Sequence, residues 1–236
     1  QMVSDEERAQ LRSINGELRW SHRTDLQIGH ELHRNSAWMS NDSCTVHILQ
    51  RANKLVRLLR HQKSSLFLPR LSDQVGMRVV IVTDAAEPPS DAIYKGRWLS
   101  AIAVGIMEDT EQQTEYQFCS DAHDEDNFGC IGWKFGVTRR VSNSSFDGET
   151  ATGIEGIELG LSVQEQLDEA ENGLRPGLLQ RYIMGVSEED AHVSNIPMEL
   201  HTDANDLVVA SRSLILPKGF EKRRRGDVAD IQQLQA

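Results

Sequence analysis

Cysteine is scarce in this chain. There are three in 236 residues, Cys44, Cys119 and Cys130, and no two form a Cys-x-x-Cys pair. No disulfide framework is expected, and the usage fits a reducing, intracellular compartment without choosing between cytoplasm and nucleus. Long apolar runs are missing as well. No stretch of about 18 apolar residues occurs, so no membrane-spanning helix and no membrane partner are expected. The first apolar cluster is broken by charges, which argues against a signal peptide. Positive charge is in deficit: 25 Lys/Arg stand against 36 Asp/Glu, for a net charge of −11. The hydrophobic fraction of 39% and charged fraction of 26% are those of a globular protein.

The deficit is uneven. Residues 1–70 carry 11 Lys/Arg and 7 Asp/Glu, whereas residues 71–236 carry 14 and 29. The split suggests two units, 1–70 and 71–236. An acidic second unit is poorly suited to gripping phosphate alone, but it suits a site that gathers cations. The chain begins on Gln1 and stops within a helical pattern at Ala236, as expected of a piece of a longer polypeptide.

The first unit reads as helical. Ser4 and Glu7 have capping-box spacing, which predicts a helix to about Trp20. A second helical pattern runs from about Asp25 to Trp38. The third, Cys44 to Lys63, sets Val46, Leu49, Ala52, Val56 and Leu59 on one side. Arg51, Lys54, Arg57 and Arg60 step along another. A row of cations on a helix is either a solvated face or a ladder along a nucleic-acid backbone.

The second unit is organised around Arg78 to Ala86. Its four consecutive Val/Ile residues predict a central strand buried on both faces. That strand leads into Asp84, a place where a carboxylate is rigidly held beside an open crevice. Trp98 to Met107 and Phe128 to Val137 read as further strands, with Glu115 to Cys119 as a short edge strand. A long helix is expected to open at Asp147-Gly-Glu149 and end at Asn172-Gly173. Its buried stripe would be Ala151, Ile154, Ile157 and Leu161, with Gly153, Gly156 and Gly160 allowing close approach to the sheet. Pro176 to Met184 reads as a short helix or turn. Pro197 to Asp203 reads as a fourth strand, Asn205 as the cap of the next helix, and Asp227 as the start of the last. The acids at Asp121 to Asp126 lack the Gly and the terminal Glu of a calcium loop and read as solvated.

Asp84, Glu149, Asp203 and Asp227 thus stand at element ends that one crevice can gather. Four carboxylates cannot sit together ionised without cations. Two Mg²⁺ ions, with Mn²⁺ as the alternative, would resolve the repulsion and suit phosphodiester hydrolysis, at about 3.5–4 Å apart.

This order of elements resembles the ribonuclease H fold, an α/β fold with a mixed sheet. More narrowly, the chain resembles the C-terminal part of a copia-type retrotransposon reverse transcriptase. Trp133-Lys134, Ser144-Ser145 and Glu149 follow the spacing of that family's Trp-Lys, Ser-Ser and helix-opening Glu. His201-Thr-Asp203-Ala-Asn205 is similar to its Cys-Asp-Asn segment, and Lys222-Arg-Arg-Arg-Gly-Asp227 to its basic run before the last Asp. Upstream, Leu11 to Trp20, His22 to Asp25 and Ala52 to Leu59 resemble its helical thumb and connection. Each motif is weak by itself; order and spacing carry the resemblance across nearly the whole chain.

The chain departs from the family at Thr83-Asp-Ala-Ala86, where the family has Ser-Asp-Ala-Asp. The insert between the second and third strands is also long for the family. Asp121 rivals Asp84 as first acid, but about a dozen residues separate it from Trp133, too few for two strands. Asp230 rivals Asp227 as the last. No Tyr-x-Asp-Asp motif occurs, so this piece would not polymerise alone.

The resemblance implies an endoribonuclease that cuts the RNA strand of an RNA–DNA hybrid, as part of a reverse transcriptase polyprotein. It implies that Asp84 bridges two metals, that Asp227 helps hold the one activating water, and that Glu149 and Asp203 hold the other. Arg51, Lys54, Arg57 and Arg60 would bind the hybrid backbone. The rival expectation is a domesticated or decayed copy serving as a structural or protein-binding subunit without catalysis. A related integrase or other nuclease would leave the thumb-like segment unexplained.

Overall fold

The computed structural model describes residues 2–21, 28–39, 44–61, 76–87, 97–108, 128–139, 141, 144–172, 194–212 and 222–233. The segments expected at Glu115 to Cys119, Asp121 to Asp126 and Pro176 to Met184 lie outside these residues.

Three helices come first: α1 (Asp5–Ser21), α2 (Gly29–Met39) and α3 (Val46–His61). The capping box at the head of α1 forms as its spacing predicts. The Glu7 N–H donates to Ser4 Oγ at 3.2 Å, and the Ser4 N–H donates to Glu7 Oε2 at 2.7 Å. On α3 the fully buried residues are Ile48, Ala52 and Leu55, rotated slightly from the predicted stripe. The reason is that α3 is gripped from two directions. Leu11 and Cys44 meet Ile48 and Ala52 in one apolar cluster, while Leu18, Ile28 and Leu32 meet Leu55 in another. Val46, Leu49, Val56 and Leu59 flank these clusters, partly buried.

A four-stranded mixed sheet follows, in the order β3-β2-β1-β4, making the chain a mixed α/β protein. Its strands are β1 (Met77–Ala86), β2 (Leu99–Glu108), β3 (Gly129–Val137) and β4 (Met198–Thr202). β1, β2 and β3 form an antiparallel meander, while β4 lies parallel to β1 on its other side. The Val-Val-Ile-Val run therefore sits inside the sheet, with Val79, Val80 and Ile81 wholly buried, as a strand covered on both faces should be. Arg78, at the head of this strand, is 5% exposed and donates to Glu199 of β4 at 2.6 Å and to the Glu108 carbonyl at 3.3 Å.

Between β3 and β4 runs α4 (Ser145–Asn172), packed across the sheet. It starts two residues earlier than the sequence predicts, because Ser144 is its cap: the Asp147 N–H donates to Ser144 Oγ at 3.2 Å. Its contact face is set by glycines. A Cβ on Gly156 would fall 2.7 Å from Thr83 Cγ2 and 3.0 Å from Ile81 Cγ2. Only a residue without a side chain lets the helix lie this close. The expected stripe is partly displaced in consequence, with Ile157 buried but Leu161 exposed. Lys134 on β3 is ion-paired with the buried Glu155 of α4, which also accepts the Arg139 N–H at 3.3 Å.

After β4 come α5 (Asn205–Arg212) and α6 (Lys222–Gln233). The observed order of three strands, a helix, a strand and two helices is the predicted one. Two starts differ. The first helical bonds of α5 reach the Ala204 carbonyl, from Leu207 at 2.9 Å and Val208 at 3.1 Å, so Ala204 rather than Asn205 occupies the cap position. α6 takes in the whole Lys-Arg-Arg-Arg run, good helix formers all, and Asp227 falls in its second turn rather than at its start. No helix among the described residues is long and apolar enough to cross a membrane.

Candidate functional site

Three of the four predicted acids come together. The carboxylates of Asp84, Glu149 and Asp203 each offer an oxygen, and these oxygens all lie within 4.8 Å of one another. A metal ion can be held there. Each acid arrives on a different element. Asp84 stands near the end of β1, exposed. Asp203 lies in the turn after β4, also exposed, where the Ala204 N–H donates to Thr202 Oγ1 at 3.2 Å and shapes the chain reversal. The parallel pairing of β1 with β4, which runs to Thr83 opposite Thr202, brings these two acids side by side. Glu149 reaches them from α4.

Glu149 is the unusual member. It is 8% exposed, and its Oε2 is buried without a hydrogen-bond partner. Burial, then the negative charges of Asp203 and Asp84, push its pKa up to about 7, against the smaller opposing effect of the Ala85 N–H that donates to it. A helix N-terminus offers little compensation. Glu149 is the fifth residue of α4, past the first turn, where the helix dipole favours an acid most. A buried carboxylate with an orphaned oxygen beside two further carboxylates is unfavourable by itself and is relieved by a cation. The all-oxygen donor set suits a hard divalent ion.

Asp227 is not part of this cluster. It is half-buried on α6. Asp121 lies outside the described residues, and Asp84 completes the triad without it. Asp230 lies on α6.

The predicted cation ladder on α3 is divided. Arg51 is half-buried and forked onto Glu31 of α2, with Nη2 at 3.1 Å from Oε1 and 2.8 Å from Oε2. The spacing of Arg51 matched the ladder, but the carboxylate that engages it stands on another helix and left no local signal. Lys54, Arg57 and Arg60 are exposed. A groove of about 680 Å³ is lined by Glu31, His47, Gln50, Arg51, Lys54, Leu55 and Leu58, so Lys54 is the one of these three cations that borders it.

Two residues at the site escape a spacing-based reading. Gly148 is buried immediately before Glu149, and the Trp98 ring lies against it. Fifty positions separate them, so no local pattern links the pair. Comparison of the chain with protein-family models, with curated proteins and with solved structures found no match.

Proposed function

We propose that this chain is a ribonuclease H-like nuclease of the copia-type reverse transcriptase kind, hydrolysing the RNA strand of an RNA–DNA hybrid with Mg²⁺ ions. The observation that carries the reading is the convergence of Asp84, Glu149 and Asp203, from three separate elements, around the unpartnered Glu149 Oε2. These are the acids the resemblance selects, and the order of elements agrees with it.

Asp84, Glu149 and Asp203 would hold the cation. When bound, it supplies Lewis-acid polarisation of a phosphate oxygen and makes a coordinated water more acidic. The chain's own contribution is rigidity. β1 and β4 fix two carboxylates by backbone pairing, and α4 delivers the third from a packed helix. Asp227, on α6, is the acid that the resemblance assigns to a second ion. Lys54, Arg57 and Arg60 would contact phosphates and offset the acidity of residues 71–236.

The rival reading, a structural or protein-binding subunit, draws on one observation: Asp227 is not among the carboxylates whose oxygens lie within 4.8 Å of one another. The two are separated by incubating the protein with a labelled hybrid and Mg²⁺, alongside melts with and without the ion. The nuclease reading expects RNA-strand cleavage lost in Asp84→Asn. Absence of both cleavage and any Mg²⁺-dependent rise in melting temperature refutes it.

A further inference from the structure

A second feature at the head of α4 bears on how the triad is held. A Cβ added to Gly148 would fall 2.6 Å from Trp98 Cδ2, 2.7 Å from Cγ and 2.8 Å from Cε3. Near-equal distances to three adjoining ring atoms mean that Gly148 meets the face of the indole, not its edge. The backbone that carries the ring is held by main-chain bonds. The Trp98 N–H donates to Thr138 Oγ1 at 3.1 Å, and the Trp98 carbonyl accepts the Thr138 N–H at 2.8 Å. Thr138 is wholly buried. Gly148 is therefore seated on a ring whose backbone is anchored between the entry to β2 and the exit from β3, and the next residue is Glu149.

We propose that Trp98 is a positioning residue for the carboxylate triad: its indole, seated against Gly148, sets how close the first turns of α4 lie to the sheet and so where Glu149 meets Asp84 and Asp203. The inference rests on the metal-site reading above. A methyl group at residue 148 strikes the ring and lifts the helix start away from β1. At Gly153, lower on the same helix, a Cβ would meet Leu207 Cδ2 at 3.5 Å and Leu200 Cδ2 at 3.7 Å, ordinary contact distances, so alanine there disturbs nothing.

The test uses the full chain and measures Mn²⁺ or Mg²⁺ affinity by calorimetry, with Tb³⁺ luminescence sensitised through indole as a second readout for the Gly148 and Gly153 variants, which keep Trp98. Gly148→Ala should weaken ion binding by roughly 10–100-fold, the usual cost of disturbing a group that orients a metal ligand. Gly153→Ala should leave it unchanged. In a Trp98→Ala background the ring is gone, and adding Gly148→Ala should cost less than about twofold, because two residues acting through one contact are not additive. Should Gly148→Ala fail to fold, Trp98→Phe decides the matter: a smaller plate should weaken ion binding, and unchanged affinity overturns the proposal. Equal cost of Gly148→Ala with and without Trp98 overturns it too, as does a Gly148→Ala protein that melts lower yet binds the ion as wild type does. A wild-type chain that binds no divalent ion overturns the metal reading and the positioning role together. Binding by wild type with an unaffected Gly148→Ala overturns the positioning role alone.

Discussion

Glu149→Gln is the most informative substitution, because its effect should change sign with pH and with Mg²⁺. The carboxyl is held at about 7 in the folded chain against an ordinary 4.5. An acid whose pKa is raised by folding favours the folded state only while it is protonated. As pH rises above 4.5, the unfolded chain gives up this proton while the folded chain still keeps it, so stability falls. The loss is complete above about pH 7. At about 1.36 kcal/mol per pKa unit, the metal-free protein at pH 8 carries a penalty on the order of 3 kcal/mol from this one group. Gln has the same shape, can still accept the Ala85 N–H, and never ionises. Metal-free Glu149→Gln should therefore match wild type at pH 4 to 5 and be more stable by roughly 1–3 kcal/mol at pH 8, the lower end allowing for burial of an amide. A rise of about 2–4 °C in Tm per kcal/mol is expected for a chain of this size. Saturating Mg²⁺ should reverse the order, since an ion at 1,000 times its Kd stabilises by about 4.1 kcal/mol. Wild type gains this and the variant loses most of it. The assay is a set of thermal or urea melts at pH 5 and pH 8, in chelator and in Mg²⁺. A metal-free Glu149→Gln that is less stable than wild type at pH 8 would falsify the claim that an unrelieved carboxylate sits here.

Three further outcomes are expected. Asp203→Asn should weaken binding of the first divalent ion by at least about tenfold, as loss of a charged ligand does, whereas Asp227→Asn should leave that affinity alone; calorimetry on the free protein distinguishes them, and equal losses would place Asp227 in the resting site. Replacing Lys54 and Arg57 together should lower the slope of log affinity for hybrid against log salt by about 2, while Arg51→Ala should leave the slope unchanged, because its charge is already engaged by Glu31; a salt titration in which Arg51→Ala shifts the slope as much as Lys54→Ala contradicts this. Gly156→Ala should destabilise by about 1–3 kcal/mol through its clash with Thr83 and Ile81, and Gly153→Ala should stabilise by about 0.5–1 kcal/mol; denaturant melts showing the reverse order would mean that α4 packs on a different face.

The linear chain determined a good deal of this protein. A run of Val-Val-Ile-Val can be satisfied only inside a sheet, and Ser4 with Glu7 is a complete local instruction for starting a helix. Asp84, Glu149 and Asp203 could be picked out because strand ends and helix heads leave local marks in turn and capping residues. What those acids do to one another was decided only in three dimensions. Their oxygens meet because β4 pairs with β1 across more than a hundred residues and because Gly156 and Gly148 let α4 close on the sheet, and no local pattern encodes either distance. The same physics produced the departures. Arg51 was placed correctly on its helix, yet its charge is taken by Glu31 from a neighbouring helix. Asp227 follows a basic run that was expected to precede the helix, but Lys and Arg propagate a helix well enough to be absorbed into its first turn. Sequence fixes what each segment prefers; packing between distant segments fixes which side chains face one another, and Glu149 owes its burial, its orphaned oxygen and its raised pKa to that packing alone.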